Sequence, residues 1–379
     1  MDITGLDWRL GGTGRLRTGP RNAITDVSGI RVGHAQRIGD GWLTGSTVVL
    51  GDGGVSAAVD ARGGGTATRE IAALDPTGVV DRIHAVYLGG GSAYGLDAAG
   101  GVMAGLAERG LGFPVGTEPT HVVPVVPSAT LFDLGRGGDF FARPDAALAR
   151  EALEAAFASP LGAPVAQGSV GAGTGAVASE IRGGVGTASV VLPGGGVVGA
   201  LVVVNSAGST VNQRTGLPWG ELFELPDADG RGEFAITPPD AVARRRAVDA
   251  LEKLAGGRLP MRPLNTTLAV VATDIPLTRG QLLRLASCAH DGMARAIRPI
   301  HTLSDGDVVF TMSTGDGPWP PPEGMLPSMH ASDQVNQVLS AGADVMARAI
   351  VHAVLSVEPV TTPLGHVPSY RSMYLGEDS

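Results

Sequence analysis

Thr266 is the residue with the most chemistry to offer, because of what stands on either side of it. Asn265-Thr266-Thr267 closes a stretch bearing Pro260 and Pro263 and opens an apolar, partly β-branched run over residues 268–274, the pattern of a buried strand. A neutral threonine hydroxyl is a poor nucleophile unless a base adjoins it. Cleavage of the Asn265–Thr266 peptide would supply one, since a free α-amine has an ordinary pKa of about 7.7–8.0 and is partly neutral near pH 7. Asn205 ends an all-apolar run over residues 197–204 and offers an amide donor for a developing oxyanion; it also reads as a plain strand cap. Asp305 and Asp307 flank Gly306, and in an extended segment they point to one side. Two such carboxylates repel, so one holds a proton or anchors an ammonium. The same triplet also fits a simple turn.

The elements that must position these residues follow from periodicity and from Gly and Pro punctuation. Strands are expected at residues 47–50, 55–60, 83–88, 187–192, 197–204, from Thr266 through the run 268–274, and at 308–312, with the Pro193-Gly194-Gly195-Gly196 turn making a hairpin. Residues 122–126 read as a strand interrupted by Pro124, hence an edge or a loop. Helices are expected after the Gly89-Gly90-Gly91-Ser92 turn to about Glu108, at residues 145–159 and 240–255, from Thr278 onward, and at residues 333–355, each from apolar residues at helical spacing. Cys288 falls inside one of them and reads as core. Residues 206–239 and 313–328 read as loops, and residues 256–265 as an exposed linker open to processing. The mixed order of strands and helices favours two packed sheets flanked by helices over one doubly wound sheet. The Gly89–Gly95 turn has the form of a phosphate cradle, but no lysine follows at P-loop spacing, and tight strand–helix packing is the simpler reading.

Composition narrows the classes. The 379 residues are 43% hydrophobic but only 4% aromatic, so the core is built from Val, Leu, Ala and Gly. Glycine, at 58 residues, is about twice average usage. A net charge of −9 leaves no electrostatic footprint for nucleic acid. One cysteine excludes an internal disulfide framework and a cysteine-based zinc site, and no metal or cofactor is expected. No signal-like start and no 18-residue apolar run stand out, so the expectation is a cytoplasmic protein without a membrane partner.

Several segments together resemble a self-cleaving peptidase family. It includes L-aminopeptidase/D-amidase-esterases, β-peptidyl aminopeptidases and nylon-oligomer (6-aminohexanoate oligomer) hydrolases. The segments are Ile24-Thr25-Asp26-Val27-Ser28-Gly29-Ile30-Arg31-Val32-Gly33-His34, Asp60-Ala61-Arg62-Gly63-Gly64, Gly89-Gly90-Gly91-Ser92-Ala93-Tyr94-Gly95, Gly171-Ala172-Gly173-Thr174-Gly175 and Arg182-Gly183-Gly184. The sharpest are Asn265-Thr266-Thr267 and His301-Thr302 followed by Asp305-Gly306-Asp307. The resemblance implies a single α/β domain, a four-layer α/β/β/α sandwich of N-terminal-nucleophile type. It also implies self-cleavage between Asn265 and Thr266 into an α chain (1–265) and a β chain (266–379) that stay associated, and a homotetramer. By the same resemblance Thr266 is the nucleophile, Asn205 the oxyanion donor, and Asp305 and Asp307 the acidic pair. Two positions depart: Arg182 stands where a lysine is frequent, and Phe132 where some members have a tyrosine, so both are assigned to the substrate pocket. The implied activity is hydrolysis of small amino-acid-like amides, with α- or β-peptides, D- or L-residues and linear amide oligomers all open as substrates. The alternatives are an acyltransferase of the ornithine-acetyltransferase kind and a non-catalytic phosphate-binding protein.

Overall fold

A strand that is apolar at every position must be covered on both faces, and the candidate residues lie on such strands or in the turn that leads into one. The computed structural model describes residues 16–377 except 194, 228, 257–264 and 318–326. Its main elements, in chain order, are β1 (Ile30–Gly39), β2 (Trp42–Ala61), β3 (Ile83–Gly89), α1 (Ala99–Ala107), β4 (Ser128–Thr130), α2 (Ala146–Ala158), β5 (Val185–Val191), β6 (Val197–Asn205), α3 (Ala241–Gly256), β7 (Thr266–Thr273), α4 (Arg279–Ala296), β8 (Val308–Ser313) and α5 (Pro327–Leu355).

One sheet runs β5-β6-β7-β8 and then takes the second half of β2. Its pairs are antiparallel except β7 with β8, which α4 connects, as a parallel pair requires a crossover. The other sheet is built from β1, the first half of β2, β3 and β4. Period-2 alternation then sorts the side chains. Val198, Ala200, Val202 and Val204 of β6 pack with α4 and α5, whereas Leu201 and Val203, with Phe310 of β8, face Val49, Val86 and Leu88 of the second sheet. On the far side Val48, Leu50, Ala85 and Tyr87 pack against Val102 and Leu106 of α1 and Leu148 and Leu153 of α2. Each fully buried Val, Leu or Phe contributes about 1.5–3 kcal/mol. The result is the four-layer α/β/β/α sandwich. Close contact between layers depends on glycine: a Cβ at Gly33 would strike the α2 backbone, and one at Gly186 the α5 backbone.

Several elements differ from expectation. Residues 47–50 and 55–60 belong to one 20-residue strand. It bulges at Gly53 and Gly54, both at positive φ, so the chain bends between sheets without ending. Only Val122–Val123 pairs, with Phe113–Pro114, because Pro124 has no N–H to continue a ladder. The segment 206–239 holds a small hairpin and a 3-10 turn, Trp219–Phe223. Cys288 is half-buried at the flank of α4 rather than in the core. The final helix begins earlier, at Pro327. Its part Ser332–Leu355 has a mean hydropathy of 1.5 and could cross a membrane by length and composition, which the sequence reading overlooked; 78% of it is buried inside the fold, the mark of a core helix. Most of the expected linker, 257–264, lies outside the described residues.

A buried ionic cluster ties α5 to the segment before α3. Arg348 grips both oxygens of Glu233 (2.5 and 2.8 Å), and His352 Nε2 and Asn22 Nδ2 also reach Oε2. Burial pushes the Glu233 carboxyl up, but hydrogen bonds from His352 and Arg348 outweigh it and hold the pKa at about 2, against an ordinary 4.5. A depressed folded pKa means that protonation favours unfolding. The stability from Glu233 is therefore present above pH 4.5 and is lost as the pH falls toward 2. Thermal melts should show a Tm that drops through that window. Glu233→Gln should melt lower at pH 7 and show a shallower acid slope; equal slopes would mean that the cluster adds no pH-linked stability.

Candidate active site

Strand register alone brings the candidate residues together. In the antiparallel β6–β7 pair Asn205 lies opposite Thr266. In the parallel β7–β8 pair Val308 stands opposite Leu268, and three residues before that pair Asn265 bridges Asp305. The four residues therefore converge at one end of the inner sheet, although up to 102 positions separate them in sequence.

Thr266 is 4% exposed. Its Oγ1 donates to the Asn265 carbonyl oxygen at 2.6 Å, and Gly306 N–H donates to the same oxygen at 2.8 Å. The hydroxyl thus lies beside the carbonyl carbon of the preceding peptide, whose oxygen is already polarised by two donors. Gly306 has to be glycine here: a Cβ would lie 2.7 Å from Thr266 Oγ1 and 2.9 Å from Gly65 O.

Asn205 is wholly buried. Its Oδ1 accepts from Arg136 Nη1 (2.5 Å) and Val177 N–H (3.1 Å), while Nδ2 makes a long 3.4 Å contact to Phe132 O. The oxygen end being taken, the NH₂ end is the one left to serve the site. Arg136, which also donates to Gly175 O at 2.5 Å, was absent from the sequence-derived set. The only signal for it was that a buried asparagine needs a partner for its oxygen, and nothing local ties position 136 to position 205.

The acidic pair holds backbone rather than the hydroxyl. Asp307 Oδ1 accepts Thr267 N–H at 2.7 Å, and its Oδ2 accepts from His301 Nδ1 at 2.8 Å. Asp305 Oδ2 caps the turn through Thr302 N–H and Oγ1 (2.8 and 2.7 Å), and its Oδ1 reaches Ala207 N–H at 3.4 Å. The Arg62-Gly63-Gly64 stretch lies flat on this turn: Arg62 N–H bonds Asp307 O, Gly65 N–H bonds Asp305 O, and a Cβ on Gly63 would strike both backbones.

Arg182 and Phe132 support the site from behind. Arg182 is 2% exposed and donates to Ala176 O, Thr174 O and Ser169 Oγ, so it shapes the loop whose Val177 N–H holds Asn205. Burial lowers its pKa to about 10. Phe132 is half-buried and supplies its carbonyl oxygen. The Gly89–Gly95 turn directs four of its donors inward rather than toward a ligand: Gly90, Gly91, Ser92 and Gly95 give their N–H groups to Gly45 O, Asp133 Oδ1, Leu131 O and Gly91 O. The buried Asp133 beside it, pushed up to about 6 by desolvation, is itself the acidic partner of the turn.

A hydroxyl against a doubly polarised peptide carbonyl, with a buried amide across the ladder, is an arrangement for acyl transfer. Comparison with known proteins gives the family. The profile of peptidase family S58 matches residues 22–368. An uncharacterised aminopeptidase of Mycobacterium bovis is 45% identical over 363 residues, which is 94% of this chain and 98% of that protein. The 6-aminohexanoate-oligomer endohydrolase of a Kocuria species is 33% identical, over 79% of this chain and 77% of its own length. In fold the chain is similar to the L-aminopeptidase D-Ala-esterase/amidase of Ochrobactrum anthropi, a variant of the N-terminal-nucleophile hydrolase fold, with a TM-score of 0.66, 22% identity, and 95% and 94% of the two chains covered. The chain belongs to peptidase family S58, and its class of reaction is amide hydrolysis.

Proposed function

We propose that this chain is a self-processing amide hydrolase whose nucleophile is Thr266. The observation that carries the reading is the 2.6 Å hydrogen bond from Thr266 Oγ1 to Asn265 O, with Gly306 N–H on the same oxygen. In maturation Oγ1 attacks the Asn265 carbonyl carbon, the C–N bond breaks, and the hydroxyl proton passes to the departing nitrogen. Water then hydrolyses the resulting ester, leaving the Asn265 carboxylate and a free Thr266 hydroxyl and α-amine. In turnover that amine takes the Oγ1 proton as the hydroxyl attacks a substrate amide, and returns it to the leaving amine. The acyl group stays on Oγ1 until water removes it. The Asn205 amide and Gly306 N–H meet the oxyanion, while Asp307 and Asp305 keep the first peptides of β7 and the turn in place.

The cut would leave the fold together. β7, the first element of the new chain, is hydrogen-bonded to β6 on one side and β8 on the other, and β8 pairs with β2. The names of the relatives, an aminopeptidase and an amino-acid oligomer hydrolase, favour small amides of amino acids, or linear amide oligomers, as substrates. Intact-mass spectrometry and N-terminal sequencing test the proposal. An active preparation that is uncut, or whose small fragment starts anywhere but Thr266, overturns it. Asn205→Ala should fold and bind substrate but lose about 10²–10³ in turnover, the usual effect of removing one oxyanion donor. Assay on an amino-acid p-nitroanilide checks this, and unchanged turnover would reduce Asn205 to a strand cap.

A further inference from the structure

Two histidines stand behind the site with no role in the chemistry above. His301 lies in the turn before Asp305 at φ +57°, and His290 comes from α4. Their rings meet edge to face with centroids 4.7 Å apart. His290 is wholly buried, and its Nε2 faces Asp60 O at 3.0 Å; a carbonyl only accepts, so Nε2 bears the hydrogen. Burial lowers the His290 pKa to about 4, which leaves an uncharged ring braced against His301 at neutral pH.

His301 faces the other way. Its Nδ1 lies 2.8 Å from Asp307 Oδ2, and its backbone N–H reaches the same oxygen at 3.2 Å. The second oxygen, Oδ1, accepts Thr267 N–H at 2.7 Å. The buried carboxylate is thus held at both ends, by His301 and by the residue that follows Thr266. Without the ring, Oδ2 keeps only the longer 3.2 Å backbone contact, and a carboxylate so loosely held at one oxygen can swing about its terminal torsion, which is broad and roughly two-fold. Misplacement of a reacting group by about 1 Å costs on the order of 10²-fold in rate.

We propose that His301 is a positioning residue: its Nδ1–H locks the Asp307 carboxylate that holds Thr267 N–H, and so fixes Thr266 Oγ1 against the carbonyl that it attacks. The inference rests on Thr266 as the nucleophile. His290 serves as the brace that keeps the His301 ring from turning away from Asp307.

Three variants test it. Asparagine can place its side-chain nitrogen where the histidine Nδ1 sits and tolerates positive φ; glycine tolerates that φ and offers no side-chain donor; leucine keeps bulk without a donor. His301→Asn should self-cleave and turn over close to the wild type. His301→Gly and His301→Leu should slow both self-cleavage and kcat by about 10²-fold with KM little changed. Folding is monitored by melting temperature, and if one donorless variant fails to fold the other supplies the comparison. If both fail to fold, a marked loss in folded His301→Asn overturns the proposal and normal rates in it uphold the donor role. Donorless variants that mature and turn over normally overturn it. So does an equal loss in the asparagine and donorless variants, which would make the ring a packing element. A wild-type protein that is active but uncut would instead defeat the Thr266 reading, so the two failures are distinguishable.

Discussion

A Thr266→Ala chain is expected to stay whole and to have no activity. The substitution removes the hydroxyl that donates to the Asn265 carbonyl oxygen, while Gly306 N–H remains on it. Without Oγ1 there is no attack on the Asn265 carbonyl, no ester, and no free α-amine at the head of β7. Both maturation and turnover are lost together. Thr266→Ser keeps the hydroxyl and should still be cut. Intact mass and an amide-hydrolysis assay on the same preparations decide the matter. An alanine variant that still matures would place the nucleophile elsewhere.

Gly306→Ala is expected to have the next largest effect. Its Cβ would sit 2.7 Å from Thr266 Oγ1 and 2.9 Å from Gly65 O, closer than such contacts allow, so the turn or the nucleophile must move. Movement of the turn takes Gly306 N–H off the Asn265 oxygen, and loss of one oxyanion donor costs about 10²–10³ in rate. The half-time of self-cleavage and kcat should both change by at least that factor. Gly65→Ala is the control: its Cβ would meet nothing nearer than Leu303 O at 3.6 Å, an ordinary contact, and the variant should behave as the wild type. If Gly306→Ala matures normally, Gly306 N–H does not activate the cleavage peptide.

Local pattern carried much of the architecture. The hairpin of β5 and β6, the strand after Thr266 and the amphipathic helices were legible because alternation, helical spacing and glycine turns act over a few residues. The long β2 was not, because Gly51, Gly53 and Gly54 in it resemble the end of a strand and only pairing with both β3 and β8 shows that it continues.

From sequence by itself came the candidate bond Asn265–Thr266, the amide of Asn205, the Asp305-Gly306-Asp307 triplet and, through the resemblance, the layered fold. Tertiary structure alone decided what these groups do to one another. It set Asn205 opposite Thr266 and put Gly306 N–H on the peptide carbonyl. It turned the two aspartates toward backbone N–H groups rather than the hydroxyl, gave Asn205 its orienting Arg136, and placed His301 behind Asp307. The reason is physical. A hydrogen bond is decided within a few tenths of an ångström, and at this site that distance is set by strand register across more than a hundred residues of chain, which no local pattern encodes.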